Sequence, residues 1–232
     1  MDLVAELASL TTPHLADGCL RTGTPIRFAP SSVKSVLPGM RCHGRARPVR
    51  HCGSIDVFLE AFEATEPGDV MVIDNGGRQD EACIGDIILL EGKAAGLAGF
   101  VIWGLHRDAR ELMQIGFPVF SSGALPTGPR RLDPRPSDIF SAARMGECVI
   151  TRDDFVIADE NGVLFVAQKA LREVVAAAAS YRDTEARQLS ALREGRSYRA
   201  QTRFTDYAAR RARQPDYGFR QHLKDIEAAG EV

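Results

Sequence analysis

The chain has 232 residues, 44% of them apolar, and a formal net charge of -2, which predicts one globular α/β domain with a buried core. Acidic and basic residues are nearly equal in number, without the basic excess typical of nucleic-acid-binding proteins, so no nucleic-acid partner is expected. The five scattered cysteines contain no C-x-x-C pair and predict reduced core residues. Neither a signal peptide nor an apolar run of membrane-spanning length is visible, which predicts a cytoplasmic protein without a membrane partner.

The first half of the chain alternates between helical and strand patterns. Leu3, Leu7 and Leu10 have helical spacing, and a second short helix is expected from about His14. "RCHGRARPVRH" alternates like a strand with one solvated face, and "IDVFLEAFEAT" returns to helical spacing. "VMVID" then reads as a continuous apolar strand that ends at Asp74.

The central segments predict a parallel sheet. "EACIGDIILLEGKAAGLAG" contains a helix, "FVIWG" a strand, "ARELMQI" a short helix and "FPVFSSG" a further strand. This βαβ order predicts a sheet that is buried on both faces. Ligands on such sheets bind beyond the carboxyl ends of the strands, where Asp74 and the pair Arg107-Asp108 lie.

The C-terminal third contains a hairpin, a helix and a charged tail. "ECVITRDDFVIADENGVLFV" predicts strand, turn and strand, and "ALREVVAAAASYRDTEARQLSALREG" predicts a long helix that Gly195 closes. The tail from Arg196 carries spaced aromatic residues, and we expect it to lie on another surface or stay mobile because it cannot form a core of its own. The predicted division is a domain at 1–195 and an extension at 196–232.

Two aspartates near the predicted strand ends each allow two interpretations. Asp86 precedes the amides of Ile87 and Ile88 at a helix start, and it is either an ordinary N-cap or part of an anion site. Asp108 is either the cap of a capping box with Glu111 or a hard oxygen ligand for a divalent cation. The adjacent Arg107 is either a surface cation or a residue whose guanidinium group binds carboxylate or enolate oxygen.

The run "GDIILLEGKAAGLAGFVIWGLHRDARELMQIGFPVFSSG" carries a family resemblance. It is similar to the family that joins class II 4-hydroxy-4-methyl-2-oxoglutarate (also 4-carboxy-4-hydroxy-2-oxoadipate) aldolases with the regulator of ribonuclease E activity, RraA. "TPHLADGCLRTG", "HGRARPV", "EPGDVMVID" and "DDFVIADENGVLFV" resemble further blocks of that family. The resemblance implies an α/β fold of layered α/β/β/α type, a single domain with a central, mostly parallel sheet.

The resemblance also implies roles for individual residues. Asp108 would ligate Mg²⁺ (or Mn²⁺) directly, and Asp86 would hold metal-bound water. Arg107 would contact the substrate and stabilise a pyruvate enolate, while the amides of Ile87 and Ile88 bind the pyruvyl carboxylate. Glu185 would reach the metal waters of a neighbouring subunit.

The roles of several neighbouring residues stay open. Glu173 and Asp183 are rivals for the role of Glu185. Trp103 predicts packing at a strand end, whereas His106 points away from the site or narrows it. Further charged residues near the predicted site either contact the distal part of the substrate or belong to a solvated surface. These residues are Arg78, Asp80, Glu81, Arg130 and Arg131.

The predicted function is a metal-dependent aldolase or lyase that cleaves 4-hydroxy-2-oxo acids to pyruvate. Oxaloacetate decarboxylation is a possible second activity, since it passes through the same enolate. The alternative is a non-catalytic RraA-like regulator that binds a ribonuclease or another protein. A site that takes Glu185 from a neighbour implies a homo-oligomer, and the resemblance suggests a trimer or hexamer.

Overall fold

The computed structural model describes residues 3–226, which divide into two compact units. The sheet unit comprises Thr11–Pro13 and Pro25–Arg172, and the helical unit lies within Met1–Leu10, His14–Thr24 and Glu173–Val232. The division at 195/196 stays a prediction, because compactness does not test independent folding. No helix of the described chain is both long and apolar enough to cross a bilayer.

The strands and helices follow the predicted order, with short strands added. The strands are β1 (Arg27–Phe28), β2 (Lys34–Ser35), β3 (Cys42–Arg50), β4 (Val70–Asp74), β5 (Ala82–Ile84), β6 (Gly99–Trp103), β7 (Leu105–His106), β8 (Val119–Ser121), β9 (Ala142–Met145), β10 (Cys148–Thr151), β11 (Asp154–Asp159) and β12 (Gly162–Ala167). The helices are α1 (Leu3–Ser9), α2 (Thr12–Thr22), α3 (Asp56–Glu63), α4 (Asp86–Ala94), α5 (Ala109–Ile115), α6 (Gln168–Arg193), α7 (Tyr198–Gln201), α8 (Phe204–Arg213) and α9 (Phe219–Asp225).

The main sheet has eight strands in the order β1-β12-β11-β3-β4-β6-β8-β2. Its centre, β3-β4-β6-β8, is parallel, as the βαβ pattern predicted. Antiparallel strands continue the sheet on both sides. The α/β class with a central parallel sheet is therefore confirmed.

Both faces of the central strands are buried, which explains their continuous apolar sequence. Met71 and Ile73 of β4 pack with Phe58 of α3 and Leu89 of α4 on one face. Val70 and Val72 point to the opposite face, where they join apolar residues of β9, β10, β11 and β12. This arrangement gives the predicted layers and leaves the carboxyl ends of the strands for polar residues. All five cysteines are free, and four of them are buried.

The described part of the C-terminal tail corrects one prediction. Tyr207 on α8 contacts the rings of Phe204, Tyr217, Phe219 and His222. Tyr207 is only 6% exposed and Tyr217 only 7%. The expectation that this tail cannot form a core was wrong, because the spaced aromatic residues meet one another once short helices form. Residues 227–232 of the predicted tail lie outside the described residues.

Candidate active site

A short parallel strand pair forms the candidate site. Strand β5 pairs with β7, and the amide of Arg107 donates to the carbonyl of Ile84 over 2.9 Å. Because parallel strands end at the same edge, the residues after β5 and after β7 lie side by side. Gly85-Asp86 follows the first strand and Arg107-Asp108 the second. The two segments singled out in the sequence therefore meet.

The contact between these segments depends on a glycine and on an unusual backbone conformation. The Asp86 amide donates to Oδ2 of Asp108 over 3.3 Å. A Cβ atom added to Gly85 would lie 2.1 Å from this oxygen, so no other residue type fits there without a shift. Asp108 has φ 56° and ψ 41°, in the left-handed region that non-glycine residues seldom adopt. Such conformations occur at functional sites more often than elsewhere.

The capping interpretation of Asp108 is not supported. Asp108 precedes α5, yet within the described chain its side chain makes no capping hydrogen bond to that helix. Its carboxylate instead accepts from the Asp86 amide and from Nε of Arg107, the latter over 3.2 Å. The carboxylate is thus directed toward the start of α4, the neighbouring part of the candidate site.

The start of α4 provides backbone donors. Gly85 is the N-cap, and Asp86 is the first helical residue. Oδ1 of Asp86 accepts from the Ile87 amide over 2.8 Å. The Ile87 side chain is 70% exposed, whereas Ile88 is 4% exposed and packs in the core. An anion at this helix start would compete with the Asp86 carboxylate for the Ile87 amide.

Arg107 lines a cavity beside this helix start. The cavity has a volume of about 130 Å³. Among the described residues that line it, Arg107 is the one cationic side chain and Asp86 the one anionic side chain. The other lining residues are Ile55, Ala82, Cys83, Ile84, Gly85, Ile87, Ile88, Gly128 and Pro129. Burial raises the pKa of the Cys83 thiol to about 12, so this thiol is protonated at neutral pH and is a poor nucleophile.

The donor atoms at the site fit a hard divalent cation. Between Leu3 and Ile226, no group of three or more His, Cys, Asp or Glu side chains is placed to hold a metal ion. Asp86 and Asp108 bring two carboxylates to neighbouring segments, since the Asp86 amide donates to Oδ2 of Asp108. Mg²⁺ is commonly held by one or two carboxylates together with several waters, so this oxygen set suits Mg²⁺ or Mn²⁺.

Glu185 lies in the helical unit, on α6. Its Oε2 is 3.2 Å from Nε2 of His14. Burial, and then the negative charge of Glu185, raise the pKa of nearby Asp17. Of its rivals, Asp183 pairs with Arg182 over 2.8 Å. The role of Glu185 toward a neighbouring subunit stays a prediction.

His106 is directed away from the Arg107 cavity. Its Nδ1 lies 2.7 Å from Oγ of Ser121, and the residue is 4% exposed. It lines a separate cavity of about 280 Å³. Burial lowers its pKa, which favours the neutral ring. Of the two open interpretations, the geometry favours the one in which His106 points away. Trp103, at the end of β6, packs over Gly77, in agreement with the packing role expected from the sequence.

A buried polar cluster near the strand ends was missed by sequence reasoning. His51 follows β3 and Asn75 follows β4, and His51 Nδ1 lies 2.8 Å from Asn75 Oδ1. Glu81 is 2% exposed and pairs with Arg131 over 2.9 Å. Glu81 is therefore buried rather than solvated, and the half-buried Arg131 is already engaged by its carboxylate. The sequence signal that could have identified this cluster is that His51 and Asn75 directly follow strands.

Comparison with known proteins identifies the family. A family model described as "RraA-like: Aldolase/RraA" matches residues 12–165. The chain belongs to the RraA-like family. A protein of Halalkalibacterium halodurans named "Putative 4-hydroxy-4-methyl-2-oxoglutarate aldolase" is 29% identical over 167 residues, which cover 72% of this chain and 77% of the relative.

Solved structures agree with this RraA-like assignment. An uncharacterized protein from Pseudomonas syringae pv. tomato superposes with a TM-score of 0.73 at 27% identity, covering 84% of this chain and 94% of the other. Streptomyces coelicolor RraAS2, described as an unusual member of the RNase ES inhibitor RraA protein family, gives 0.71 at 26% identity, with coverages of 83% and 98%. The fold is thus shared with both proteins.

Proposed function

We propose that this RraA-like chain is a divalent-metal-dependent class II aldolase that cleaves 4-hydroxy-2-oxo acids to pyruvate. The observation that carries the proposal is the meeting of Arg107 and Asp108 with the start of α4 at Gly85. The guanidinium of Arg107, the carboxylate of Asp86 and the start of α4 then line one small cavity, and the Asp108 carboxylate lies beside it, where it accepts from the Asp86 amide. The name of the Halalkalibacterium relative supports the same reaction class.

The chain's own residues can perform most of the reaction. The substrate carboxylate binds the amides of Ile87 and Ile88 at the start of α4. This displaces the Asp86 carboxylate from the Ile87 amide and frees it to accept the proton of the 4-hydroxyl group. The C3–C4 bond then breaks, which releases the carbonyl fragment and leaves the pyruvate enolate beside Arg107. Return of the proton held by Asp86 to C3 of the enolate yields pyruvate and restores the Asp86 carboxylate.

Asp108 is the residue that would hold the metal ion, with Asp86 and a neighbour's Glu185 acting through water. When bound, Mg²⁺ or Mn²⁺ supplies Lewis-acid polarisation of the 2-oxo group. Arg107 shares the negative charge that develops there. Its Nε contact with Asp108 keeps the guanidinium at the rim of the cavity.

The test compares wild type with Asp108→Asn, since asparagine tolerates the left-handed backbone that alanine would strain. Pyruvate release from 4-hydroxy-2-oxo acids and from oxaloacetate is measured with Mg²⁺ and with EDTA. We expect a loss of more than about 100-fold in Asp108→Asn, by analogy with the cost of disturbing metal sites. Glu91→Gln, the same carboxylate-to-amide change at an exposed position of α4, is the matched control.

Metal binding is measured independently by calorimetry. Wild type and Glu91→Gln should bind Mn²⁺, and Asp108→Asn should bind it much more weakly. Activity that survives both EDTA and Asp108→Asn would rule out the metal assignment. Oxaloacetate turnover in the same assays decides whether decarboxylation accompanies aldol cleavage.

The second candidate is a regulator that binds a ribonuclease. It is favoured by the similarity to RraAS2, whose description names an RNase ES inhibitor family. Purified chain would then inhibit an RNase E-type enzyme, and Asp108→Asn would inhibit it equally well. Inhibition without pyruvate release from any 2-oxo acid would favour the regulator over the aldolase.

A further inference from the structure

We infer that the cavity beside His106 is a second ligand site, which binds the phosphoryl group of a small phosphorylated metabolite. This cavity is separate from the Arg107 cavity and has a volume of about 280 Å³. Lys34, His106 and several serines line it, and all of them belong to the sheet unit of one chain. The inference does not depend on the proposed aldolase activity.

Two neighbouring strands place a cation and a histidine on the same side of this cavity. Strand β2 pairs with β8, and Lys34 lies directly opposite Ser121. Side chains of directly opposite residues project from the same face of a sheet. Oγ of Ser121 in turn lies 2.7 Å from Nδ1 of His106. Lys34, Ser121 and His106 therefore lie on one face, where the cavity is.

The hydrogen bonds of Ser121 indicate which ring nitrogen of His106 carries the hydrogen. Oγ of Ser121 accepts from the Gly123 amide over 3.3 Å. Its own hydrogen can go to the Gly123 carbonyl, 3.5 Å away, or to Nδ1 of His106, 2.7 Å away. The shorter contact makes the stronger hydrogen bond, so we assign Ser121 as the donor to Nδ1. Nε2 of the ring then carries a hydrogen and is a donor.

This Nε2 donor has no acceptor within the part of the chain that the structure describes. His106 is only 4% exposed, and its Nε2 is buried without a hydrogen-bond partner there. A buried donor that lacks a partner destabilises the folded state, so an acceptor from a ligand would be favourable at this position. An oxyanion oxygen is such an acceptor.

Further donors at the cavity are available to an anion. Nζ of Lys34 donates to the carbonyl of Asn161 over 3.1 Å, which leaves the other hydrogens of its ammonium group for a ligand. The hydroxyls of Ser32 and Ser122 are 3.1 Å apart, and because one donates to the other, the second keeps its hydrogen free. An ammonium, a hydroxyl and a ring N–H suit a phosphoryl group, which accepts hydrogen bonds from several directions and is commonly bound by lysine.

The size of the cavity favours a phosphorylated metabolite over free phosphate. The cavity is larger than a phosphate ion requires, and Met113, which is 45% exposed, and Ala109 also line it. A short carbon chain attached to the phosphoryl group would cover these apolar side chains and remove their surface from water. Both ligands share the phosphoryl chemistry that the donors recognise, and the experiment distinguishes them.

Isothermal titration calorimetry of the full-length chain in EDTA compares inorganic phosphate, glycerol 3-phosphate and acetate. We expect saturable, equimolar binding that is tightest for glycerol 3-phosphate and weakest for acetate. Lys34→Gln should weaken phosphate binding at least about tenfold, the effect of losing one hydrogen bond to a charged group. Lys169→Gln, the same change at an exposed position outside the cavity, should bind phosphate as wild type does.

Nitrogen NMR of the histidine rings locates the bound ion, with His106→Gln used to assign the signals. Phosphate should shift the Nε2 signal of His106 in wild type and in Lys169→Gln. An unchanged His106 signal at saturation, or phosphate binding that survives Lys34→Gln but is lost in Arg107→Gln, would overturn the inference. Glycerol 3-phosphate that binds no more tightly than phosphate would contradict the metabolite and leave free phosphate as the ligand. Pyruvate release plays no part in these measurements, so the aldolase proposal stands or fails separately.

Discussion

At the scale of single residues, the site depends on how closely two backbone segments approach. Asp108 occupies the left-handed region, which costs an L-residue about 1–2 kcal/mol. The conformation brings its carboxylate against Gly85, where a Cβ atom would lie 2.1 Å from Oδ2. Both features act together, because relaxing either one separates Asp108 from the start of α4.

Gly85→Ala should therefore abolish the proposed activity while leaving the fold intact. Gly85 has φ -136°, so an alanine there clashes with Asp108 but is not strained in its backbone. We expect kcat/KM for pyruvate release to fall about 100-fold, the effect of a displacement of about 1 Å at a reacting centre. Circular dichroism checks the fold, and Gly218→Ala, whose Cβ would meet nothing within 4 Å, is the control. Unchanged activity in Gly85→Ala would contradict the role given to the close approach.

His51 presents a second effect at this scale. Its ring stacks on Phe58 at 5.2 Å and faces Asn75, Glu81 and Arg131. Burial lowers the pKa of His51, although the hydrogen bond with Asn75 opposes this. The native state therefore holds the neutral ring, while the unfolded chain takes up a proton near pH 6.5.

The free energy of unfolding should thus decrease as the pH falls from 7 through 6.5 toward the lower native pKa, because the unfolded state binds more protons there. His51→Gln removes this contribution, so its stability should vary less between pH 7 and 5. Burial also lowers the pKa values of His43 and His106, which leaves a smaller slope in the variant. Urea unfolding at several pH values measures the effect. Ile73→Val should shift the curve without changing its slope, and parallel curves for His51→Gln would show that another group causes the pH dependence.

At the scale of secondary-structure elements, the sequence predicts buried parallel strands well. β4 and β6 are continuous apolar runs because both faces are covered, whereas the candidate site follows β5 and β7. The pair β5–β7 was not predicted, since strands of 3 and 2 residues are too short to show a period. Yet this pair is what joins the Gly85 and Arg107 segments.

The same limit applies to side-chain partners. Arg107, Asp108 and Asp86 were identified from strand ends and from family resemblance. The pairing of Glu81 with Arg131, 50 residues apart in the chain, could not be read from either segment alone. Charged residues in a loop usually predict solvation, and only the fold shows that Glu81 is buried.

The aromatic cluster of the tail helices α8 and α9 allows a prediction at this scale. Tyr207→Ala removes the ring at the centre of the aromatic cluster of α8 and α9 and should cost the helical unit about 3 kcal/mol. Hydrogen exchange followed by mass spectrometry should show lost protection in α8 and α9 and unchanged protection in β4 and β6. Tyr198→Ala, at a position that is 38% exposed, should change neither. Equal loss of protection in β4 would mean that the cluster is not a local core.

At the scale of the whole molecule, the proposed role of Glu185 would make the active site depend on assembly. Glu185 belongs to the helical unit and pairs with His14, whereas Asp108 belongs to the sheet unit. If Glu185 of one subunit serves the site of another, the chain must be an oligomer. We expect a trimer or hexamer, which analytical ultracentrifugation measures.

Mixing two inactive variants tests this dependence. Asp108→Asn lacks the proposed metal ligand but still provides Glu185, and Glu185→Gln has the opposite defect. After subunits are exchanged in mild denaturant and refolded, an equal mixture should regain about a quarter of the wild-type activity, because one site in four takes each intact residue from a different chain. Each variant refolded alone should stay inactive, and wild type carried through the same steps gives the reference. A mixture that stays inactive, although ultracentrifugation shows mixed oligomers, would place Glu185 in the same subunit as its site. Activity of Glu185→Gln refolded alone would place Glu185 outside the site.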